Sequence, residues 1–367
     1  MKIVALFPGV ADGPVGGYKV LLEYLSQLAD EGHDVTACYA GSIYFARKTP
    51  KYKVTGILRM AQRLIQGYSC RRWLPTLSRK LKERHTLSLN YRHVPKGADR
   101  YIATSPYTAD YLEKYPLEPA LKYYFIQDRE DWGTGLREIV DDTYHMCLNK
   151  VTVSHWLQDM LRFQYGEMSE LVPNSFDFAN LQLVNPPAAR SVPVVAMLWH
   201  QMPRKDCSTG MEALRLVAQQ VPNLQIELFG APSRPDDIIA SLGSDLATRV
   251  NYTRNATRAQ VCDILNRATV FIGTSRTEGW GLTVGEAMIC GAAVACTDCK
   301  GYLEMARPGI NALVSPVGDS KALATNIVRL LTDSELRITL AKRASDDIRR
   351  FSPDRSYQLF KEALGIN

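Results

Sequence analysis

No apolar run in this 367-residue chain approaches the roughly 18 residues needed to cross a bilayer, so no membrane-spanning helix is expected. The eight cysteines fall without framework spacing, which argues against a disulfide-stapled secreted module and suits a reducing cytoplasm. Cys296-Thr-Asp-Cys299 is a lone C-x-x-C with no second pair and no histidine beside it, so no metal centre is expected. Repeats and low-complexity tracts are missing. The N-terminus, MKIVALFPGV, lacks a small-residue cleavage pattern and runs into a glycine loop, so it reads as a first strand rather than a signal peptide. The glycine loop at 9–17, GVADGPVGG, lacks G-x-G-x-x-G spacing, and the second strand ends in Tyr-Ala-Gly without the acid that would hold an adenosine ribose. A dinucleotide fingerprint is therefore excluded. Nucleic acid is an unlikely partner class too: the excess of 44 Lys and Arg over 38 Asp and Glu is modest, and the basic residues have few aromatics among them.

What is present is alternation. Strands are expected at 2–7, 34–39, 100–104, 122–127, 150–153 and 170–172, then at 192–198, 225–229, 249–252, 270–273 and 294–297, with helices between. Hydrophobic content of 46% and charged content of 22% are those of a soluble globular protein. Two successive βα series imply an α/β fold of two doubly wound, Rossmann-like domains with a cleft between them. The expected division is 1–177, a linker at 178–192 rich in Pro, Asn and Ala, 193–349, and a last helical segment at 350–367.

The most informative stretch is 277–291, TEGWGLTVGEAMICG. It sets Glu278 and Glu286 on a glycine-interrupted loop and the helix after it, past an apolar strand. Bare N–H groups at a helix start suit a phosphate, and two flanking carboxylates suit sugar hydroxyls. Thr283 to Glu286 is also a capping box, in which Glu286 would only bond the helix start, and Trp280 could equally be packing.

This stretch resembles the E-x7-E signature of retaining glycosyltransferases of family 4, which have the GT-B fold. The resemblance implies that Glu278 holds hydroxyls of the transferred sugar and Glu286 the ribose diol, with Gly279, Trp280, Gly281, Leu282 and Thr283 facing sugar and phosphate. It puts Gly16 and Gly17 against the donor diphosphate, although a mere tight turn is the competing reading. In WHQMPRKDCSTG, Lys205 falls on the family's lysine, His200 stands at its arginine position, and Arg204 would supply the second cation; an exposed charged loop is the alternative. Asp206 replaces the usual glycine, or simply caps the next helix. Gln127 stands where many members have a histidine that bonds the sugar, followed by Asp128; either could instead form a turn. Ser154 reads as an N-cap. Tyr252 lies among the strand-end residues expected to choose the base. From the resemblance the last helix would return to the first domain, which would hold the acceptor while the second holds the donor.

The expected activity is thus transfer of a sugar from a nucleotide diphosphate to the hydroxyl of a saccharide or lipid-linked saccharide, with retention and without metal or other cofactor. A nucleotide-sugar epimerase, a phosphorylase and a non-catalytic nucleotide-sugar binder are the alternatives. The segment 57–85 carries eight of the cations against Glu83 alone, with apolar residues at helical spacing. It reads either as a basic amphipathic helix on an anionic membrane surface or as an ordinary packed helix. The expected place is the cytoplasm or the inner membrane face.

Overall fold

A computed structural model describes residues 1–11, 13, 15–41, 67–131, 137–230 and 244–366, with isolated positions 58, 62, 236, 239 and 242. Strands covered on both faces need not alternate polar and apolar residues. The central strands here do not: β1 (Lys2–Phe7, KIVALF), β5 (Lys122–Ile126, KYYFI), β8 (Val194–Trp199, VVAMLW), β11 (Val270–Gly273, VFIG) and β12 (Ala293–Thr297, AVACT) are buried almost throughout. Contacts divide the chain into two units, Met1–Asn174 with Asp354–Asn367, and Ser175–Pro353.

Among the described residues, the first unit holds a seven-stranded sheet, with β2 (Asp34–Ala40), β3 (Lys82–Thr86), β4 (Arg100–Ala103), β6 (Asn149–Thr152) and β7 (Ser169–Leu171) ordered β3-β2-β1-β4-β5-β6-β7. The second has six strands, adding β9 (Gln225–Gly230), β10 (Val250–Arg254) and β13 (Leu313–Ser315), in the order β10-β9-β8-β11-β12-β13. Every strand pairing among the described residues is parallel. Each sheet therefore winds outward in both directions from its first strand. The switch points lie between β1 and β4 and between β8 and β11, where open sheets leave a crevice at the strand carboxyl ends.

Two expectations are corrected. Of the basic segment, Leu58 and Gln62 are helical, but 67–85 is not a helix: a single 3-10 turn at Cys70–Arg72 leads through turns into β3. Arg71 faces inward, donating to the carbonyls of Ser78 and Leu81 at 2.7 Å each, and pairs with Glu83. Pro75 interrupts what remains. Positions 57, 59–61 and 63–66 of that expectation lie outside the described residues. The stretch 178–192 is not a free joint either, since it counts with the second unit. Buried Arg190 donates to the carbonyls of Asn185, Leu265, Ala268 and Cys290, and Asn266 accepts from the N–H groups of Val184 and Asn185. No helix among the described residues is long and apolar enough to cross a membrane.

Candidate functional site

The second unit's switch point brings the predicted charges together. After β8 the chain forms a one-turn helix, Pro203–Lys205, then a left-handed residue, Asp206 (φ 45°), before the helix Cys207–Ala218. After β11 it runs out through Thr274 and Ser275. Two bonds join these loops: the Thr274 hydroxyl donates to the Lys205 carbonyl at 2.7 Å, and the Arg276 N–H to the Arg204 carbonyl at 2.8 Å. Both basic side chains are thereby aimed at Glu278, which is 8% exposed. Lys205 Nζ pairs with Glu278 Oε1, Arg204 Nη1 lies 3.5 Å from Oε2, and Ser275 Oγ donates to Oε1 at 2.7 Å. Both cations thus converge on the one carboxylate at the carboxyl end of the sheet. Gly301 lets Glu278 sit this close, since a Cβ there would fall 2.3 Å from the Glu278 carbonyl oxygen.

His200, expected in this set, contributes no charge. Its Nδ1 accepts the Met202 N–H at 3.0 Å, which leaves the ring proton on Nε2. Burial first, then Lys205 and Arg204, hold its pKa below the usual value.

Asp206 does not cap the helix with its side chain. Its carboxylate instead lies 3.0 Å from Arg276 and accepts from Ser208 Oγ at 3.0 Å.

The helix begins at Leu282 rather than at Val284, so buried Glu286 lies past the first turn of the helix Leu282–Ile289, and the capping box does not form. The N-cap is Gly281 at φ 93°, with no side-chain cap. Glu286 Oε1 is held instead by Arg258 Nη1 at 2.5 Å, and Arg258 Nε stands 3.9 Å from Asp177. Leu282 and Thr283 are half-buried, while Gly279 and Trp280 are buried. The Trp280 ring packs edge-on against Phe351 at 4.9 Å, so its side chain belongs to the core and only its backbone is left to face a ligand. Tyr252 is on β10, at the sheet edge, its hydroxyl 3.4 Å from the Gly230 carbonyl and apart from the Glu278 cluster.

The remaining predicted residues belong to the first unit. Gly16 opens the helix Gly16–Asp30, whose N-cap, Val15, offers no side chain. Gln127 Nε2 donates to the Gly17 carbonyl at 3.0 Å, and a Cβ on Gly17 would touch the Gln127 amide at 3.2 Å. Asp128 Oδ1 accepts the Arg129 N–H at 2.9 Å, the turn-forming role. Trp73 and Tyr18 brace the glycine loop by donating to the carbonyls of Ala11 and Gly9. Ser154 is at an N-cap position but makes no capping bond.

Arg258, Ser275 and Tyr302 are the residues that sequence reasoning missed. Thr257 and Gln260 do form a legible capping box at the helix Arg258–Arg267, which would have placed Arg258 at a helix start but not beside Glu286.

Residues 189–333, which include Lys205, Glu278 and Glu286, match the family model of glycosyl transferases group 1. A phosphatidyl-myo-inositol mannosyltransferase of Mycolicibacterium smegmatis is 21% identical over 360 residues, 96% of this chain and 90% of that one. Among solved structures, sucrose-phosphate synthase from Thermosynechococcus elongatus superposes with a TM-score of 0.72 at 14% identity, covering 100% of both chains. Anabaena HepE in complex with UDP and glucose gives 0.70 at 18%, covering 100% of this chain and 99% of that one. The family model of glycosyl transferases group 1 thus lies on the charged switch point of the second unit, and the fold along the whole chain is the two-sheet GT-B fold of these solved structures.

Proposed function

We propose that the chain is a retaining, metal-independent enzyme of family 4 type that moves a sugar from a nucleotide diphosphate to an acceptor hydroxyl. The observation that carries this reading is the buried Glu278 carboxylate set between Lys205 and Arg204 at a sheet switch point. Glu278 would accept hydroxyls of the transferred sugar while the two cations face the departing diphosphate, where charge develops. The bond from the anomeric carbon to the phosphate oxygen breaks, and the acceptor oxygen attacks from the same face. The acceptor proton passes to the leaving phosphate oxygen, so no protein base is needed. Glu286, held by Arg258, would accept from the ribose diol. Gly16 and Gly17 would let backbone N–H groups approach the diphosphate, and Gln127 with Asp128 would lie on the acceptor side. Lys205, Arg204 and the helix starts supply the countercharge, so turnover should persist in EDTA.

The relatives' printed substrates support a saccharide or lipid-linked acceptor, as in assembly of surface polysaccharide. Exposed Arg72, Arg79, Lys80 and Arg84 suit an anionic membrane surface near such an acceptor.

Thermal shift across UDP, dTDP, GDP and ADP, each free and as common sugar conjugates, tests the donor. A nucleotide at a hundred times its Kd adds about 2.7 kcal/mol of stability, and Glu286→Ala should erase most of that. Acceptors offered free and on anionic vesicles then separate the classes. Nucleotide release that requires an acceptor is the expected result. Conversion of donor alone would indicate an epimerase, a requirement for free phosphate a phosphorylase, and binding without turnover a mere binder.

A further inference from the structure

We propose that Tyr302 is a positioning residue for Glu278, acting through the hydroxyl of Ser275. This rests on the reading of Glu278 as the carboxylate that holds the transferred sugar. Tyr302 follows β12, in the short helix Lys300–Leu303, and is 3% exposed. Its ring fills space that two glycines leave open: a Cβ on Gly273 would lie 2.9 Å from Tyr302 Cε2, and one on Gly281 would lie 2.4 Å from Cδ1. Held on both sides, the ring can place its hydroxyl in one spot. From there it donates to Ser275 Oγ at 2.8 Å, and Ser275 Oγ donates to Glu278 Oε1 at 2.7 Å.

The direction of this chain follows from proton counting. A carboxylate paired with two cations can only accept, so the single hydroxyl proton of Ser275 goes to Glu278. Ser275 Oγ must then accept, and the phenol is its donor. Burial, first among several causes, pushes the Tyr302 pKa well up, so the phenol keeps its proton.

The consequence lies in the two carboxylate oxygens. Oε1 is committed to Lys205 and Ser275. Oε2 has Arg204 at 3.5 Å, beyond ordinary hydrogen-bond length, and is the oxygen left to take a sugar hydroxyl. Tyr302 and Ser275 therefore choose which oxygen faces the substrate and fix its angle. Such a role matters more in the transition state than in ground-state binding, because alignment of the reacting sugar decides rate.

The test compares Tyr302→Phe, Ser275→Ala, the double variant and Glu278→Gln with the wild type. Nucleoside diphosphate release is followed from UDP-glucose, UDP-N-acetylglucosamine and GDP-mannose, each in the presence of saccharide acceptors offered free and on anionic vesicles. Tyr302→Phe keeps the ring that packs on the glycines, so the melting temperature should move little. Its kcat should fall about tenfold, as for loss of one aligned hydrogen bond, with donor KM within about twofold. Ser275→Ala should lose at least as much, and the double variant should be no slower than Ser275→Ala, since the tyrosine acts only through the serine. Wild-type kcat in Tyr302→Phe beside an inactive Glu278→Gln would overturn the relay alone. So would losses that multiply in the double variant. Full turnover by Glu278→Gln, or no turnover of any donor by the wild type, would overturn the reading of Glu278 and the relay with it.

Discussion

His200 shows how a single side chain is tuned by the charges placed around it. Burial disfavours its charged form, Lys205 and Arg204 add repulsion, and Glu278 alone pulls the other way. Protonation would also cost the bond that Nδ1 accepts from Met202. In the unfolded chain the imidazole should titrate near 6.5. Its folded value is lower, so between the two the unfolded chain binds more protons and stability rises with pH. The contribution is complete above about pH 6.5 and is lost as pH falls through the folded value. His200→Gln should therefore flatten the decline in melting temperature between about pH 7.5 and pH 5. An unchanged slope in that variant would mean that other groups carry the acid sensitivity. Asp206 poses a related local problem. A non-glycine residue at φ 45° is costly, and here its carboxylate holds Arg276, whose N–H in turn fixes the Arg204 carbonyl. The departure from the family's usual glycine thus joins the two loops of the site.

At the scale of an element, the loop from Glu278 to the helix Leu282–Ile289 depends on a close fit to Tyr302. Gly281 has φ 93°, and an added Cβ would fall 2.4 Å from the Tyr302 ring. Gly309 has φ 71° with nothing within 4 Å of such a Cβ, so it reports backbone strain alone. Gly309→Ala should cost about 1–2 kcal/mol, and Gly281→Ala about 1–3 kcal/mol more for the overlap, with loss of transfer activity. Denaturant midpoints of the two variants give the difference directly, and equal losses would show that the ring simply moves aside. The glycines and glutamates of this loop were legible because they lie within one local run of sequence with a strand before it and a helix after it. The central strands were legible for a similar reason, being buried on both faces and so apolar throughout. Strand β3 was not. It is an edge strand reading KERHT, with charges on its open side and Glu83 turned inward to Tyr39 and Ser69. Its leucine-bearing approach mimicked a helical period because Leu74, Leu77 and Leu81 are buried from turns. β13 is an edge strand of three residues, too short to show any period. Contacts between distant positions were equally hidden. Lys205 and Glu278 stand 73 residues apart, and spacing along the chain gives no hint of that pair or of Arg258 on Glu286. Arg71 looked like a surface cation for the same reason: only the fold shows which carbonyls it serves.

At the scale of the whole molecule, the chain closes its first unit with its last residues. The helix Pro353–Ala363 counts almost entirely with Met1–Asn174, although the second unit intervenes. Phe360 is fully buried there, stacked on Tyr24 at 4.7 Å and edge-on to Phe125 at 5.8 Å. Tyr357 also meets Tyr24, Lys361 pairs with Glu31 at 3.2 Å, and Arg100 Nε donates to the Leu364 carbonyl at 2.5 Å. The apolar contacts outweigh the ion pair, since an exposed pair contributes at most about 1 kcal/mol whereas removing a buried phenylalanine ring costs about 3–5 kcal/mol. The first unit's core is thus completed by residues more than two hundred positions from the strands they meet and more than three hundred from Tyr24, and the loop-closure cost of that arrangement grows only slowly with length. Phe360→Ala should lower the melting transition of the first unit by roughly 6–20 °C, at about 2–4 °C per kcal/mol for a unit of this size. Lys361→Ala should shift it by no more than a few degrees. Calorimetry of the full chain, with hydrogen exchange on β1 and β5 to identify which unit opens, separates the two effects. Faster exchange on those strands in Phe360→Ala, against near wild-type exchange in Lys361→Ala, is the expected result. Equal and small effects would mean that the helix rests on the sheet without sharing its core.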